Sequence, residues 1–167
     1  MDSRVDASVE IFPRSLTRLY VPNIDHMYFK KWVRFLLSYM AGGGIYALKC
    51  NGEYAGYCMI SNGKSGRYEY AEKTDITVGP IYIKQDYRGR GLSKVLLREV
   101  LKHYENGTTR CAFAYIHRIN KQSNALFAGA GFEIVSNLEV TRFTRHVRVT
   151  QEENTDYRLY RRELSAN

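Results

Sequence analysis

Apolar positions recur along this chain with spacings that predict its helices and strands. Apolar residues repeat every three to four positions over residues 24–41, which predicts a helix that Asn23 caps and the glycines at 42–44 end. Residues 45–50 and 53–61 predict two strands on either side of Asn51-Gly52, which is typical of a type I′ hairpin turn. Residues 1–15 show no clear period, so we expect a loose segment there.

The second half of the chain predicts further strands and helices. Residues 74–84 are β-branched and apolar and predict a central strand, in which Pro80 indicates a bulge or break because it donates no hydrogen bond. Helices are predicted at 91–105 and 120–129, a short buried strand at 111–116, and two long strands at 132–149 and 157–164. These elements do not alternate regularly, so the expected class is mixed α/β or α+β.

Composition excludes several classes of protein. A length of 167 residues suits one domain with its own core. No apolar run approaches the about 20 residues of a transmembrane helix, and the first residues lack a secretory signal. The cysteines Cys50, Cys58 and Cys111 are odd in number and lack metal-ligand spacing. We therefore expect a cytoplasmic protein with neither disulfides nor a bound metal.

The net charge of +8 predicts an anionic partner: a nucleic acid, a membrane surface or a phosphate-rich ligand. Residues 84–122 hold nine Lys or Arg against three Asp or Glu, and so contain six of the eight net charges. The rest of the chain is nearly balanced, including residues 123–167 with six charges of each sign, and we interpret the arginine-rich part of that segment as a salt-bridged sheet edge. Such a local excess favours a compact phosphate ligand over a duplex or a membrane.

A glycine-containing turn lies inside this basic stretch, between the predicted central strand and the helix at 91–105. Gly89 and Gly91 allow a sharp turn and a close backbone approach to a ligand. The start of a helix has unpaired N–H groups and a positive dipole, and Arg88, Arg90 and Lys94 add charge to it. The segment therefore predicts a diphosphate site, although it matches neither a P-loop nor a dinucleotide-binding fingerprint.

Two motifs in this part of the chain resemble those of the GNAT superfamily of acetyl-CoA-dependent N-acetyltransferases. Arg88-x-x-Gly91-x-Ser93 is similar to the family's R/Q-x-x-G-x-G/A pyrophosphate loop. The segment from Asn120 to Phe132 is similar to the second signature, N-x-x-S/A-x-x-L-Y-x-x-x-G-F. The resemblance covers roughly residues 45–163, and the two motifs at their correct mutual spacing are more specific than either alone.

The resemblance implies a fold and an activity. The fold would be a single mixed α+β domain over residues 1–167, with a central, mostly antiparallel and splayed sheet flanked by helices. The activity would be transfer of an acetyl group from acetyl-CoA, as co-substrate, to a primary amine by direct attack on the thioester. No metal, nucleic acid or membrane partner is implied, and the chain would be a monomer or a homodimer.

The resemblance also implies roles for individual residues. The Ile83 N–H would polarise the thioester carbonyl as an oxyanion-type donor. The main chain around it would pair with the pantetheine arm, the glycine turn would hold the diphosphate, Asn120 would contact the pantetheine, and Ser123 would lie near the phosphates. The expected cofactor-binding residues are Tyr82, Ile83, Lys84, Arg88, Gly89, Arg90, Gly91, Leu92, Ser93, Asn120, Ser123 and Phe127.

Two positions depart from the family pattern. Ser93 replaces a Gly or Ala, and because serine is small we expect binding to survive. Phe127 occupies the position of a tyrosine thought to protonate the departing thiolate, and phenylalanine cannot donate a proton. A thiol pKa of about 8.5 makes the thiolate a fair leaving group without such help.

The general base has two candidates. A protonated alkyl amine, with a pKa of about 10, cannot attack a thioester until it loses a proton. Asp75 is the acid within the predicted central strand and shares its parity with Ile83, while His117 ends the buried strand shortly before Asn120. Each also fits an ordinary strand-end residue, and Glu69 and Glu72 are weaker candidates.

Three functions remain open from the sequence. The first is an N-acetyltransferase for a small-molecule amine, such as an amino sugar, amino acid or polyamine. The second is the same chemistry on a protein α-amine or lysine. The third is a non-catalytic module that binds a nucleic acid or the coenzyme.

Overall fold

Eight strands form one mostly antiparallel sheet in a computed structural model that describes residues 7–12, 33, 36, 43–63, 68–105, 107–141 and 146–164. The strand order is β1-β2-β3-β4-β5-β8-β6-β7. Two α-helices are described as well. The bounds are β1 Ala7–Phe12, β2 Gly44–Cys50, β3 Glu53–Asn62, β4 Ile76–Ile83, α1 Leu92–Glu105, β5 Cys111–His117, α2 Lys121–Ala128, β6 Glu133–Val140, β7 Val147–Thr150 and β8 Tyr157–Glu163.

The expected mixed α+β architecture is confirmed, and most elements lie within two residues of their predicted bounds. The predicted helix at 24–41 lies outside the described residues except for Val33 and Leu36, which are helical. Contacts divide the chain into two compact units, and each is described by itself. Unit 1 comprises residues 1–61 and 79–100, and unit 2 comprises residues 62–78 and 101–167.

Unit 1 contains an antiparallel meander of β1, β2 and β3. β1 pairs with β2 from Ala7 opposite Cys50 onward, so the expectation that residues 1–15 are loose is wrong for this segment. Six residues of alternating polarity are too short to predict a strand, and the hydrogen bonds to β2 decide its conformation. The predicted type I′ turn is confirmed, because Asn51 and Gly52 have φ values of 52° and 82°.

Strand β4 lies very close to β3 within unit 1. The Lys84 N–H donates to the Ala55 carbonyl over 2.8 Å. A Cβ atom at Gly56 would lie 2.4 Å from the Tyr82 carbonyl oxygen, so only glycine fits there. Strand β4 runs through Pro80 without a break, so of the bulge or break predicted there only the bulge stays a prediction. The preceding residue, Gly79, has a φ of 118° that side-chain-bearing residues avoid.

Unit 2 contains the antiparallel strands β5, β8, β6 and β7. β5 pairs with β8 along its whole length, from Cys111 opposite Glu163 to His117 opposite Tyr157. Its parallel partners in β4 are Ile76 and Thr77. The single strand predicted over 132–149 is instead two strands, β6 and β7, which form an antiparallel pair. The mainly polar residues 141–146 separate two alternating segments there, and alternation alone does not reveal a reversal of direction.

Helix α1 buries the side predicted from its apolar spacing. Leu92, Leu96, Val100 and Leu101 are all less than 5% exposed, and Leu97 joins them on the buried side. Val95, which the spacing also assigned to that side, is only half-buried.

We predict that Gly56→Ala destabilises the protein, because the new methyl group would displace the β4 backbone at Tyr82. The expected loss in free energy of unfolding is about 1–3 kcal/mol, measured by chemical denaturation. Gly107→Ala is the matched control, because its Cβ would lie 3.6 Å from the nearest atom, the Tyr104 carbonyl oxygen. Equal stabilities for the two variants would contradict the close β3–β4 packing.

Candidate functional site

The turn between β4 and α1 is built by two glycines in the left-handed region. Gly89 has a φ of 76° and Gly91 a φ of 72°, with open space around each Cα. The first hydrogen bonds of the helix are those of the Lys94 and Val95 N–H groups, which donate to the Gly91 carbonyl over 3.0 and 3.4 Å. The N–H groups of Leu92 and Ser93 therefore precede any carbonyl that the helix could offer them. This exposed turn is suited to bind an anion.

Three cations surround this turn within unit 1. The Arg88 Nε donates to the Ile83 carbonyl over 2.9 Å, and its guanidinium lies 5.8 Å from the centre of the Tyr82 ring. The Arg90 guanidinium lies 5.7 Å from the Tyr87 ring centre, and Lys94 is exposed on the first turn of α1. In the part of the chain that is described, none of the three cations has a carboxylate within 4.0 Å. Their charge is available to a ligand.

A 3₁₀ turn, Gln85–Tyr87, precedes the glycines and is hydrogen-bonded to β3. The Tyr87 hydroxyl donates to a Glu53 carboxylate oxygen over 3.0 Å. This hydrogen bond raises the pKa of the Tyr87 phenol above its usual range. The Tyr87 N–H donates to the Lys84 carbonyl over 3.0 Å, which closes the short turn. These hydrogen bonds therefore attach the start of the basic turn to strand β3 of the meander.

Two main-chain groups of the segment from Tyr82 to Lys84 already form hydrogen bonds within the protein. The Lys84 N–H points toward β3, where it donates to Ala55, and the Ile83 carbonyl accepts the Arg88 hydrogen bond. Backbone groups of successive strand residues point to opposite sides. The Ile83 N–H therefore points away from β3.

Asp75 lies just before β4 in unit 2 and differs from its expected setting. It is 5% exposed, and its two carboxylate oxygens accept the N–H groups of Glu72 over 2.8 Å and Cys111 over 3.1 Å. The expected strand-end carboxylate facing a cleft or the solvent is thus a buried one with backbone partners on both oxygens. These bonds hold the preceding turn to the start of β5.

The other predicted residues of unit 2 follow the end of β5. His117 is half-buried, and its Nδ1 accepts the Ile119 N–H over 3.4 Å. Asn120 is the N-cap of α2, where its side-chain oxygen accepts the Ser123 N–H over 3.1 Å. Phe127 is 4% exposed and packs against Phe132 with ring centres 5.0 Å apart. The structure therefore gives Asn120 and Phe127 clear roles in shaping α2.

Sequence reasoning missed the side chains that organise this end of β5. Arg118 donates to the Asn137 side-chain oxygen over 2.9 Å and to the Glu153 carbonyl over 2.6 Å. Asn124 donates to the Arg118 carbonyl over 3.0 Å and accepts the Tyr160 hydroxyl over 2.8 Å. In the sequence Arg118 is one of nine cations in a basic stretch, and nothing local marks it.

The described residues also bear on membrane spans and on metal sites. None of the helices described is long and apolar enough to cross a membrane. No three or more His, Cys, Asp or Glu side chains among these residues are grouped so as to hold a metal ion. The expected salt-bridged edge is present in part, since Arg148 on the edge strand β7 lies 3.2 Å from Glu69, whereas Arg162, which lies 2.7 Å from Glu105, is on the inner strand β8.

The chain matches the sequence model of the acetyltransferase (GNAT) family over residues 9–132. The match includes the glycine turn and the segment from Asn120 to Phe132. No curated protein sequence gives a significant match.

Solved structures of acetyltransferases share the fold at low sequence identity. An IAA acetyltransferase from Bacillus cereus ATCC 14579 is 18% identical with a TM-score of 0.65, over 95% of this chain and 99% of that one. The ribosomal-protein-S18-alanine N-acetyltransferase from Escherichia coli is 15% identical with a TM-score of 0.66, over 96% of each chain. A GNAT family acetyltransferase from Elizabethkingia anophelis, with acetyl-CoA bound, is 17% identical with a TM-score of 0.66, over 95% and 98%.

We predict that Asp75→Ala lowers the free energy of unfolding by about 1–3 kcal/mol, because the backbone N–H groups of Glu72 and Cys111 lose the buried carboxylate that accepts their hydrogen bonds. Chemical denaturation measures the change. Asp86→Ala, which removes an exposed carboxylate, should alter stability by no more than about 0.5 kcal/mol. If Asp75→Ala were as stable as the unaltered protein, Asp75 would be free for another role.

Proposed function

The chain belongs to the acetyltransferase (GNAT) family and is an acetyl-CoA-dependent transferase, and from this premise we propose that its acceptor is a primary amine of a small molecule. The exposed, cationic glycine turn at the start of α1 supports binding of the coenzyme, and the half-buried His117 at the end of β5 supports a compact acceptor. A protein α-amine or lysine is the second candidate, because the similar Escherichia coli structure is that of a ribosomal-protein alanine N-acetyltransferase.

The glycine turn is proposed to hold the diphosphate of coenzyme A. The N–H groups of Leu92 and Ser93 point out of the first turn of a helix, where the helix dipole favours an anion. The backbone in front of these groups is bent at Gly89 and Gly91, and it is made positive by Arg88 and Arg90. A diphosphate carries charge that these cations would neutralise, and Ser93 is small enough to leave the backbone accessible.

The end of β4 is proposed to bind the thioester. The main chain of Tyr82, Ile83 and Lys84 would pair with the pantetheine arm, on the side that faces away from β3. The Ile83 N–H is the proposed donor to the thioester oxygen as the amine attacks the carbonyl carbon and negative charge develops. The C–S bond then breaks, and the departing sulfur leaves as a thiolate.

In unit 2, Asn120 is proposed to contact the pantetheine and Ser123 the phosphates, in addition to their capping contact with each other. Phe127 is proposed to support this surface from the core, because its ring is buried against Phe132. The thiolate then takes its proton from water or from the acetylated amine. Its pKa of about 8.5 makes this exchange possible without a tyrosine.

His117 is our proposed base for the incoming ammonium group. It is half-buried at the end of β5, whereas both oxygens of Asp75 already accept backbone hydrogen bonds. Asp75 is therefore proposed to support β5 and to take no part in proton transfer. The half-buried setting of His117 suits contact with a compact acceptor.

We predict that Gly91→Glu abolishes the thermal stabilisation of the protein by acetyl-CoA, because it places bulk and negative charge where the diphosphate would bind. Ligand at 100 times its Kd adds about 2.7 kcal/mol to the stability of a protein that binds it. Thermal melting with and without acetyl-CoA measures the effect.

Gly52→Glu is the matched control. Gly52 also has open space and a positive φ, 82° against 72° at Gly91, so both variants bear a similar backbone strain. Only Gly91→Glu should lose the shift. Coincident melting curves of the unaltered protein with and without saturating acetyl-CoA would overturn the proposed coenzyme site.

We predict that His117→Gln lowers kcat/KM for the amine by about 100-fold at pH 7, because the base is lost. The deficit should shrink toward pH 9, where the neutral fraction of an amine with a pKa of about 10 has risen about 100-fold by itself. Release of free thiol from acetyl-CoA measures turnover over a panel of small amines and peptides. His103→Gln, an exposed histidine on α1, is the control.

A deficit that stays constant from pH 7 to pH 9 would show that His117 contacts substrate without acting as the base. Faster turnover of peptides than of every small amine would favour the second candidate.

A further inference from the structure

One face of β5 carries an aromatic row. Phe113, Tyr115 and His117 alternate along the strand and so share a face. Tyr157 of β8 lies directly opposite His117 and therefore belongs to the same face. The rings of Tyr115 and Tyr157 lie 6.0 Å apart, and those of His117 and Tyr157 lie 4.9 Å apart. The row is continuous from the middle of β5 to its end.

This aromatic row is covered at one end and accessible at the other. Near the start of β5, Phe113 is 6% exposed and lies under Tyr70, with ring centres 5.1 Å apart. Toward the end of β5, the rings of Tyr115, His117 and Tyr157 are only half-buried. A ligand that approaches this face would meet these three rings.

The polar segment between β7 and β8, residues 151–156, carries three acidic residues, and its main chain lies next to the His117 end of the row. Glu152, Glu153 and Asp156 are all exposed, and Asp156 directly precedes Tyr157. Among the residues that the structure describes, none of these three carboxylates has a cation within 4.0 Å. Other acidic residues of unit 2, including Glu69, Glu105 and Glu163, do form such pairs.

This acidic segment is fixed by its main chain, which leaves its carboxylates out of the anchoring bonds. The Arg118 N–H donates to the Asp156 carbonyl over 2.8 Å, and the Arg118 guanidinium donates to the Glu153 carbonyl over 2.6 Å. The Asn137 side chain donates to the Glu152 carbonyl over 3.1 Å and accepts from Arg118. The guanidinium charge is thus directed at neutral oxygens, and the segment is held at the His117 end of the sheet.

We propose that the aromatic row and the acidic segment together recognise the acceptor, and that the preferred acceptor is a small amine with a second cationic group a few carbon atoms from the reacting nitrogen. The inference rests on the proposed acetyl transfer to small amines and names their class. Aromatic faces attract ammonium groups, and carboxylates within about 8 Å add to that attraction at physiological salt. A carboxylate on the acceptor would be repelled by the same residues.

The test compares three acceptors of one length: 1,4-diaminobutane, 4-aminobutan-1-ol and 4-aminobutanoate. We expect kcat/KM to be at least about fivefold higher for the diamine than for the amino alcohol, and lowest for the amino acid, as for one added charge interaction in a solvated setting. Calorimetry with coenzyme A present should give the same order of affinities without any turnover. Equal values for the three acceptors, or a preference for the carboxylate, would overturn the proposal.

Two double variants and two substitutions of Tyr157 test which residues cause the preference for the diamine. Glu153→Gln combined with Asp156→Asn should remove most of the advantage of the diamine and leave the thermal shift with acetyl-CoA unchanged. Glu133→Gln combined with Glu139→Gln removes two exposed carboxylates from β6 and should keep the preference. Tyr157→Leu should weaken diamine binding, while Tyr157→Phe, which keeps the ring face, should not. A diamine preference that survives the first pair would contradict the role of the acidic segment.

The outcomes separate this inference from the proposed function. If the diamine binds selectively but no amine releases thiol from acetyl-CoA, the recognition site stands and the proposed reaction fails. If amines are acetylated without regard to a second charge, the reaction stands and the recognition site fails. Acetylation of a basic peptide in preference to every diamine would replace the small acceptor by a protein.

Discussion

A helix cannot satisfy its own first N–H groups, and the proposed chemistry depends on how this chain uses that constraint at the start of α1. Gly89 and Gly91 take positive φ values, so the backbone reverses in few residues and leaves the N–H groups of Leu92 and Ser93 at an exposed surface. Any side chain at these glycines would be strained. The local excess of positive charge is then explained physically, because Arg88, Arg90 and Lys94 flank N–H donors that already favour an anion.

The candidate residues at the end of β5 are held in place in a different way. There no glycine or helix dipole is needed, because side chains of neighbouring elements bind to main-chain carbonyls. Arg118 and Asn124 tie the turn after His117 to α2, to β8 and to the segment before Tyr157. Such bonds fix the backbone and leave the aromatic rings and carboxylates of that region out of the anchoring bonds.

Much of the fold could be predicted because its signals are local. The apolar spacing of α1, the Asn51-Gly52 turn and the two glycines of the basic turn each depend on residues close in sequence, and the structure has all three. The prediction of a single strand over 132–149 was wrong for the opposite reason, because the feature that it missed is not local. Alternation reports which residues share a face, and it does not report that the chain reverses between β6 and β7. β1 was missed because its partner strand, more than 30 residues away, determines it.

The sequence by itself determined the family, the glycine turn and the concentration of charge around it, because these are properties of short contiguous segments. Only the tertiary structure decided what the candidate side chains do. Asp75 looked like an available carboxylate until the start of β5 placed the Cys111 N–H against it. Arg118 looked like one cation among nine until β6 and the segment before β8 supplied its acceptors. A polar side chain's role depends on which partners the fold brings within hydrogen-bond distance, and those partners lie tens of residues away.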